Sequence, residues 1–173
     1  MEKNKALVVI DIQNDITKNY KEIIDNLNKA IEKAIKSNIK IVYIKNIFLD
    51  TKYGNAFQEG TSGVEFCSDL KIASENMFIK HDGSAYTSKE FVDFLEKNKI
   101  KDLIITGADA FYCVKFTCED LCKNNYNVTV LSDCITSFDK TKIPELLEYY
   151  ASKGAKINNL EKVLWFKYEI SLY

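Results

Sequence analysis

Short apolar runs that alternate with helix-favouring stretches constrain this chain more than any other feature. Residues 6–10 (ALVVI), 39–44 (IKIVYI), 102–106 (DLIIT) and 127–132 (NVTVLS) have the length and character of strands buried on both faces. Residues 76–80 are a further short strand candidate. Between the first two runs, Ile23, Ile24, Leu27, Ala30, Ile31, Ala34 and Ile35 fall on one stripe at helical spacing, which predicts a helix over 20–37. Thr87 and Glu90 have the spacing of a capping box that opens a helix with Phe91, Phe94 and Leu95 facing inward. Helices are also predicted over 112–124 and 142–153. Pro144 suits the first turn of the latter, and Gly154 its C-terminal cap. A last strand comes from Ile157 or from 163–166. This alternation implies the α/β class, a three-layer α-β-α sandwich with a mainly parallel central sheet. At 173 residues, with no linker, repeat or charge block, residues 1–173 are expected to form a single domain.

Composition then excludes several functions. Basic residues number 24 against 25 acidic, a net charge of −1, which argues against nucleic acid as a partner. No apolar run reaches about 18 residues, so no membrane span is expected. The first apolar run is too short for a signal-peptide core. His81 is the single histidine, which excludes a multi-histidine metal site within one chain. The five cysteines are odd in number and the chain is large enough to need no staples. They are expected to be reduced thiols in the cytoplasm.

In parallel α/β sheets ligands sit beyond the carboxyl ends of the strands. The residues there are Asp11, Lys45 and Asn46, Lys80 and His81, the stretch 107–113, and Asp133. Three of them form a coherent set. Cys113 falls at a predicted helix start, where the dipole and free N–H groups lower a thiol pKa. Lys80 is a cation able to stabilise a thiolate, and Asp11 a carboxylate able to take and return a proton. Together they suit acyl transfer through a thioester. Each also has a structural reading: buried cysteine, helix cap and solvated lysine. Phe48, Tyr86, Phe111 and Tyr112 lie at predicted strand ends and are expected to wall an apolar pocket. His81 either lines that pocket or sits at the surface. Asp133 is expected to anchor a loop. Cys118 and Cys122 share a helix face that excludes Cys113, which favours packing over a metal cluster.

The chain also resembles a known family over nearly its whole length. LVVIDIQND (7–15) is similar to the first strand of the isochorismatase-like cysteine hydrolases, with the catalytic Asp at Asp11. GTSGVE (60–65) resembles a family G-T-x-G-x-E segment. IKHDGSAY (79–86) places the family's lysine at Lys80, and TGADAFYCV (106–114) its nucleophile at Cys113. LSDCITSF (131–138) and KGAKI (153–157) resemble later segments. The resemblance implies a cysteine hydrolase acting on an amide or carbamoyl C–N bond of a small molecule. It further implies a non-proline cis peptide between Ala108 and Asp109, an oxyanion hole built from the N–H groups of Asp109 and Cys113, and a homodimer or homotetramer. Nicotinamidases of this family hold a metal with an Asp and histidines after the second strand. Here Asn46 and Phe48 stand in that stretch, so neither metal nor other cofactor is expected. Asp109, Ala110 and Phe111 depart from the family pattern, and a carboxylate beside an oxyanion hole opposes the developing charge unless it points away. Two rival readings remain: vinyl ether hydrolysis of the isochorismatase type, which needs no cysteine, and a non-catalytic binding or scaffold protein.

Overall fold

The computed structural model describes residues 4–51 and 54–163. Its strands are β1 (Lys5–Ile10), β2 (Lys40–Asn46), β3 (Met77–Lys80), β4 (Asp102–Gly107), β5 (Asn127–Ile135) and β6 (Lys156–Asn158). Its α-helices are α1 (Asn14–Tyr20), α2 (Ile24–Lys36), α3 (Lys89–Lys97), α4 (Cys113–Lys123) and α5 (Ile143–Ser152). The strands form one sheet in the order β3-β2-β1-β4-β5-β6, and every neighbouring pair is parallel.

Period two along the strands builds two cores. On β1, Ala6, Val8 and Ile10 face one way and pack with Phe91 and Leu95 of α3, Val114, Cys118 and Leu121 of α4, and Leu146 and Tyr150 of α5. Leu7 and Val9 face the other way, against Tyr20 of α1 and Leu27, Ala30, Ile31 and Ala34 of α2. The three-layer sandwich is therefore α1–α2, sheet, α3–α4–α5. No helix among the described residues is long and apolar enough to cross a membrane.

Three local expectations are corrected and one open alternative is resolved. The helix predicted over 20–37 is α2, which starts later, at Ile24: Tyr20 ends α1 outside helical geometry (φ −130, ψ 17) and a 3-10 turn, Lys21–Ile23, intervenes. The seven-residue α1 is too short for periodicity to reveal. The Thr87–Glu90 capping box does not form: Ser88 is the N-cap of α3, and the Thr87 hydroxyl donates to Ser84 O instead. β5 runs three residues past its expected end, to Ile135. The last strand is β6 around Ile157; of the alternative stretch, residues 164–166 lie outside the described residues.

Strand order reverses on either side of β1 and β4, which opens a crevice at their carboxyl ends. Gly107 ends β4 there at φ 111, and a Cβ would fall 2.2 Å from Ile10 O and 2.6 Å from Ile10 N. Both are backbone atoms of the neighbouring strand and cannot rotate away. Gly107→Ala is expected to cost at least about 2 kcal/mol in urea unfolding, through left-handed strain and this collision.

Candidate active site

Asp11 is the first residue beyond β1. Its backbone adopts φ 52, a region that Asp tolerates better than most side chains. Its N–H donates to Ile44 O at 3.0 Å, and its carboxylate is buried. Lys80 ends β3 and is buried as well. Its Nζ lies 2.8 Å from Asp11 Oδ2, donates to Asp82 O at 3.0 Å, and donates to Cys113 Sγ at 3.4 Å. Cys113 is the first residue of α4, so the sulphur sits at the helix's positive end. Two strand ends and one helix start thus gather an acid, an ammonium and a thiol.

The charges within this cluster are set by burial. Removal from water pushes Asp11 above its ordinary value, with Lys80 opposing. Desolvation pulls Lys80 down, but Asp11 and Cys113 together hold it above its ordinary value. Burial and the Asp11 charge push the Cys113 thiol up to about 12, against the pull of Lys80. Burial and Asp11 thus outweigh the helix start and Lys80, which were expected to make this thiol acidic. A thiol pushed in that direction calls for a base at the moment of attack.

Asp109 follows the cis peptide bond between Ala108 and Asp109. Its carboxylate is committed to four donors: Tyr20 OH at 2.6 Å, Phe111 N at 2.7 Å, Ser137 Oγ at 2.8 Å and Phe138 N at 3.0 Å. These ties hold its negative charge in a fixed hydrogen-bond cage and join the β4–α4 loop to α1 and the β5–α5 loop. The backbone N–H groups of Asp109 and Cys113 have no acceptor among the described residues.

A cavity of about 860 Å³ opens onto the cluster. Asp11, Asn46, Asp82, Asp109 and Cys113 supply its polar lining, and Tyr20, Phe48, Phe57, Tyr112, Phe116 and Phe138 its aromatic walls. Phe48 and Tyr112 are where the sequence placed them. Phe111 and Tyr86 are not among the lining residues. Phe111 is 43% exposed, stacked edge-on to Tyr112 under Lys115. Tyr86 packs against Tyr126, because Thr117 Oγ1 accepts the Ala85 N–H and pins that turn onto α4. Tyr20, Phe57, Phe116 and Phe138 were missed, since nothing in their local spacing marks them. His81 is exposed, with Nδ1 2.6 Å from Ile47 O, and does not line this cavity. Asp133 accepts the Leu160 N–H and anchors that loop, as expected.

The residues after β2 do not suit the metal that nicotinamidases hold. Asn46 and Phe48 replace charged or imidazole donors there, and no group of three His, Cys, Asp or Glu among the described residues is arranged to hold a metal ion.

Fold and site together define a three-layer α/β protein in which a buried lysine–aspartate pair at two strand ends meets a cysteine at a helix start. A family model for the isochorismatase domain matches residues 5–162, and the chain belongs to that family. It is 25% identical over 170 residues to isochorismatase family protein 2A of Dictyostelium discoideum, covering 94% of this chain and 82% of that one. An isochorismatase family protein from Desulfovibrio vulgaris superposes with a TM-score of 0.84 at 19% identity, over 91% of this chain and 95% of that chain. N-carbamoylsarcosine amidase from Thermoplasma acidophilum superposes with a TM-score of 0.81 at 22% identity, over 92% and 98%. At such identities the superpositions establish the fold.

Proposed function

We propose that this protein is a cysteine hydrolase that cleaves the C–N bond of a small amide or carbamoyl compound through a thioester on Cys113, with Asp11 as proton carrier. The observation that carries this reading is the contact of one buried ammonium, Lys80, with both Asp11 and Cys113 at the mouth of an aromatic cavity. Membership of the isochorismatase family and a fold shared with an amidase support it.

The chemistry follows from the charges. Sγ attacks the carbonyl carbon as Asp11 accepts the thiol proton, so no free thiolate is needed beforehand. The carbonyl π electrons move to oxygen, and the oxyanion takes hydrogen bonds from the Asp109 and Cys113 N–H groups. One such donor is worth about 2.7–4 kcal/mol at a transition state. The Asp109 carboxylate is held by its four donors on α1, the β4–α4 loop and the β5–α5 loop, which fix its position and spread its charge. Asp11 then delivers its proton to the departing nitrogen as the C–N bond breaks. Water next attacks the thioester while Asp11 removes its proton, and the sulphur regains a proton as acid is released. Lys80 stays charged throughout and offsets the negative charge that moves between Asp11, sulphur and oxygen.

The test is intact-mass spectrometry of the protein quenched during turnover of small amides, carbamoyl compounds and isochorismate. An acyl adduct that maps to Cys113 is the expected result. Turnover without an adduct, and undiminished in Cys113→Ala, would replace this reading with vinyl ether hydrolysis. Turnover of none of these compounds would favour a binding protein.

A further inference from the structure

Asn46 closes β2 and is 1% exposed. Its backbone is clasped by one side chain: Gln13 Oε1 accepts the Asn46 N–H at 2.8 Å, and Gln13 Nε2 donates to Asn46 O at 2.9 Å. Its own side chain is a different matter. Among the described residues, three buried side-chain oxygens accept no aligned hydrogen bond: both oxygens of Asp11 and Oδ1 of Asn46. Asp11 Oδ2 at least has the Lys80 ammonium 2.8 Å away, although Lys80's aligned donors go to Asp82 O and Cys113 Sγ. Asp11 also interacts with the Cys113 thiol, whereas Asn46 Oδ1 has nothing comparable. Both residues line the aromatic cavity.

A buried acceptor left without a donor is costly, and a native structure keeps one where something else supplies the donor. The register places that something near the reacting sulphur. Asn46 is the direct partner of Lys80 across the β2–β3 ladder, so the two side chains emerge on one face about 4.8 Å apart at the backbone. The scissile group, held against Cys113, lies in the same neighbourhood. A primary carboxamide carries two N–H donors and one carbonyl acceptor. The site offers the converse: an unpartnered acceptor, Asn46 Oδ1, beside the Asp11 carboxylate, and two unpartnered donors, the N–H groups of Asp109 and Cys113.

We infer that Asn46 is a specificity-determining residue that reads the leaving NH2. Its Oδ1 accepts one N–H of that group, so Asn46 is the residue by which the protein tells an amide from its matched ester and carboxylate. This rests on the amide-hydrolase reading and narrows it. A matched ester has no N–H to offer, and its binding leaves Asn46 Oδ1 buried and unpaired. A matched carboxylate brings acceptors to acceptors, in a cavity already lined by Asp11, Asp82 and Asp109.

The test is calorimetric binding to Cys113→Ala protein, in which turnover plays no part. The probes are matched sets of aryl amide, methyl ester and carboxylate on phenyl, pyridyl and naphthyl rings. The amide is expected to bind roughly tenfold or more tighter than its ester and its carboxylate. Adding Asn46→Leu or Asn46→Ala is expected to collapse the amide-over-ester ratio to within about threefold. Both changes leave the Gln13 clasp on the backbone in place, and thermal unfolding checks that the variants fold. A merely structural Asn46 would lose amide and ester affinity together at constant ratio, and that result would overturn the inference. So would equal binding of amide and ester before Asn46 is changed, or binding of no amide in the series. The two readings fail separately. Amide turnover through Cys113 with an unchanged ratio removes only the role of Asn46. A ratio that collapses in a protein that forms no acyl adduct removes only the hydrolase reading.

Discussion

Lys80→Met protein is expected to be less stable than the native chain by about 3–5 kcal/mol at neutral pH, measured by urea unfolding. Lys80 is the ammonium within 4 Å of a carboxylate that is 0% exposed, and methionine matches its stem but not its charge. The loss depends on pH, and its sign follows from linkage. Asp11 already sits above its ordinary value of 3.8, because burial outweighs Lys80. Without Lys80 it rises further. Between 3.8 and the raised folded value, the folded variant keeps a proton that the unfolded chain has released, so its stability falls as pH rises through that window. The deficit against the native chain therefore shrinks in acid. Asp11→Asn combined with Lys80→Met removes both charges and is expected to recover most of the lost stability while remaining inactive. A single variant as stable as the native chain at pH 7 would contradict the buried ion pair. On the alkaline side, the stability that Lys80 gains from Asp11 is present below 10.5 and is lost as pH passes its raised folded value.

Asp11→Asn is expected to lower turnover by about 10²–10⁴-fold, the usual share of a positioned general acid–base. The same change is expected to speed the alkylation of Cys113 by iodoacetamide near pH 8. These opposite signs have one cause. The Asp11 charge is the second largest influence, after burial, that pushes the thiol up to about 12, and Lys80 pulls the other way. Asparagine leaves that pull unopposed, so the thiolate becomes more accessible while the proton carrier is gone. Residue-resolved mass spectrometry separates Cys113 from Cys118, which is buried in the α4 core and serves as an internal reference. Alkylation that slows in step with turnover would mean that Asp11 makes the thiol more acidic, and the proposed division of labour would fail.

Much of this was legible in the linear chain. Apolar runs and helical stripes report on the residues immediately before and after them, so β1, β2, β4 and most of the helices follow from neighbours alone. Asp11, Lys80 and Cys113 were found for a related reason. A parallel sheet puts the carboxyl ends of its strands on one edge, so residues just past those runs are candidates to meet. What local pattern misjudged was each feature that depends on a distant partner. Tyr86 and Phe111 were expected in the cavity, yet Tyr86 is turned onto Tyr126 and Phe111 onto the outer surface beside Tyr112. Tyr20 reaches Asp109 across 89 residues of sequence, a pairing for which no spacing rule exists.

The sequence by itself determined the α/β alternation and the three chemical groups at the strand ends, because both are consequences of short-range periodicity. Only the tertiary structure decided which way burial pushes those groups, which rings wall the cavity, which four donors hold the Asp109 carboxylate and that Asn46 is left without a donor. Each of those depends on how much water is excluded and on which remote atoms fill the space, and burial and partnership are properties of the packed chain rather than of any segment of it.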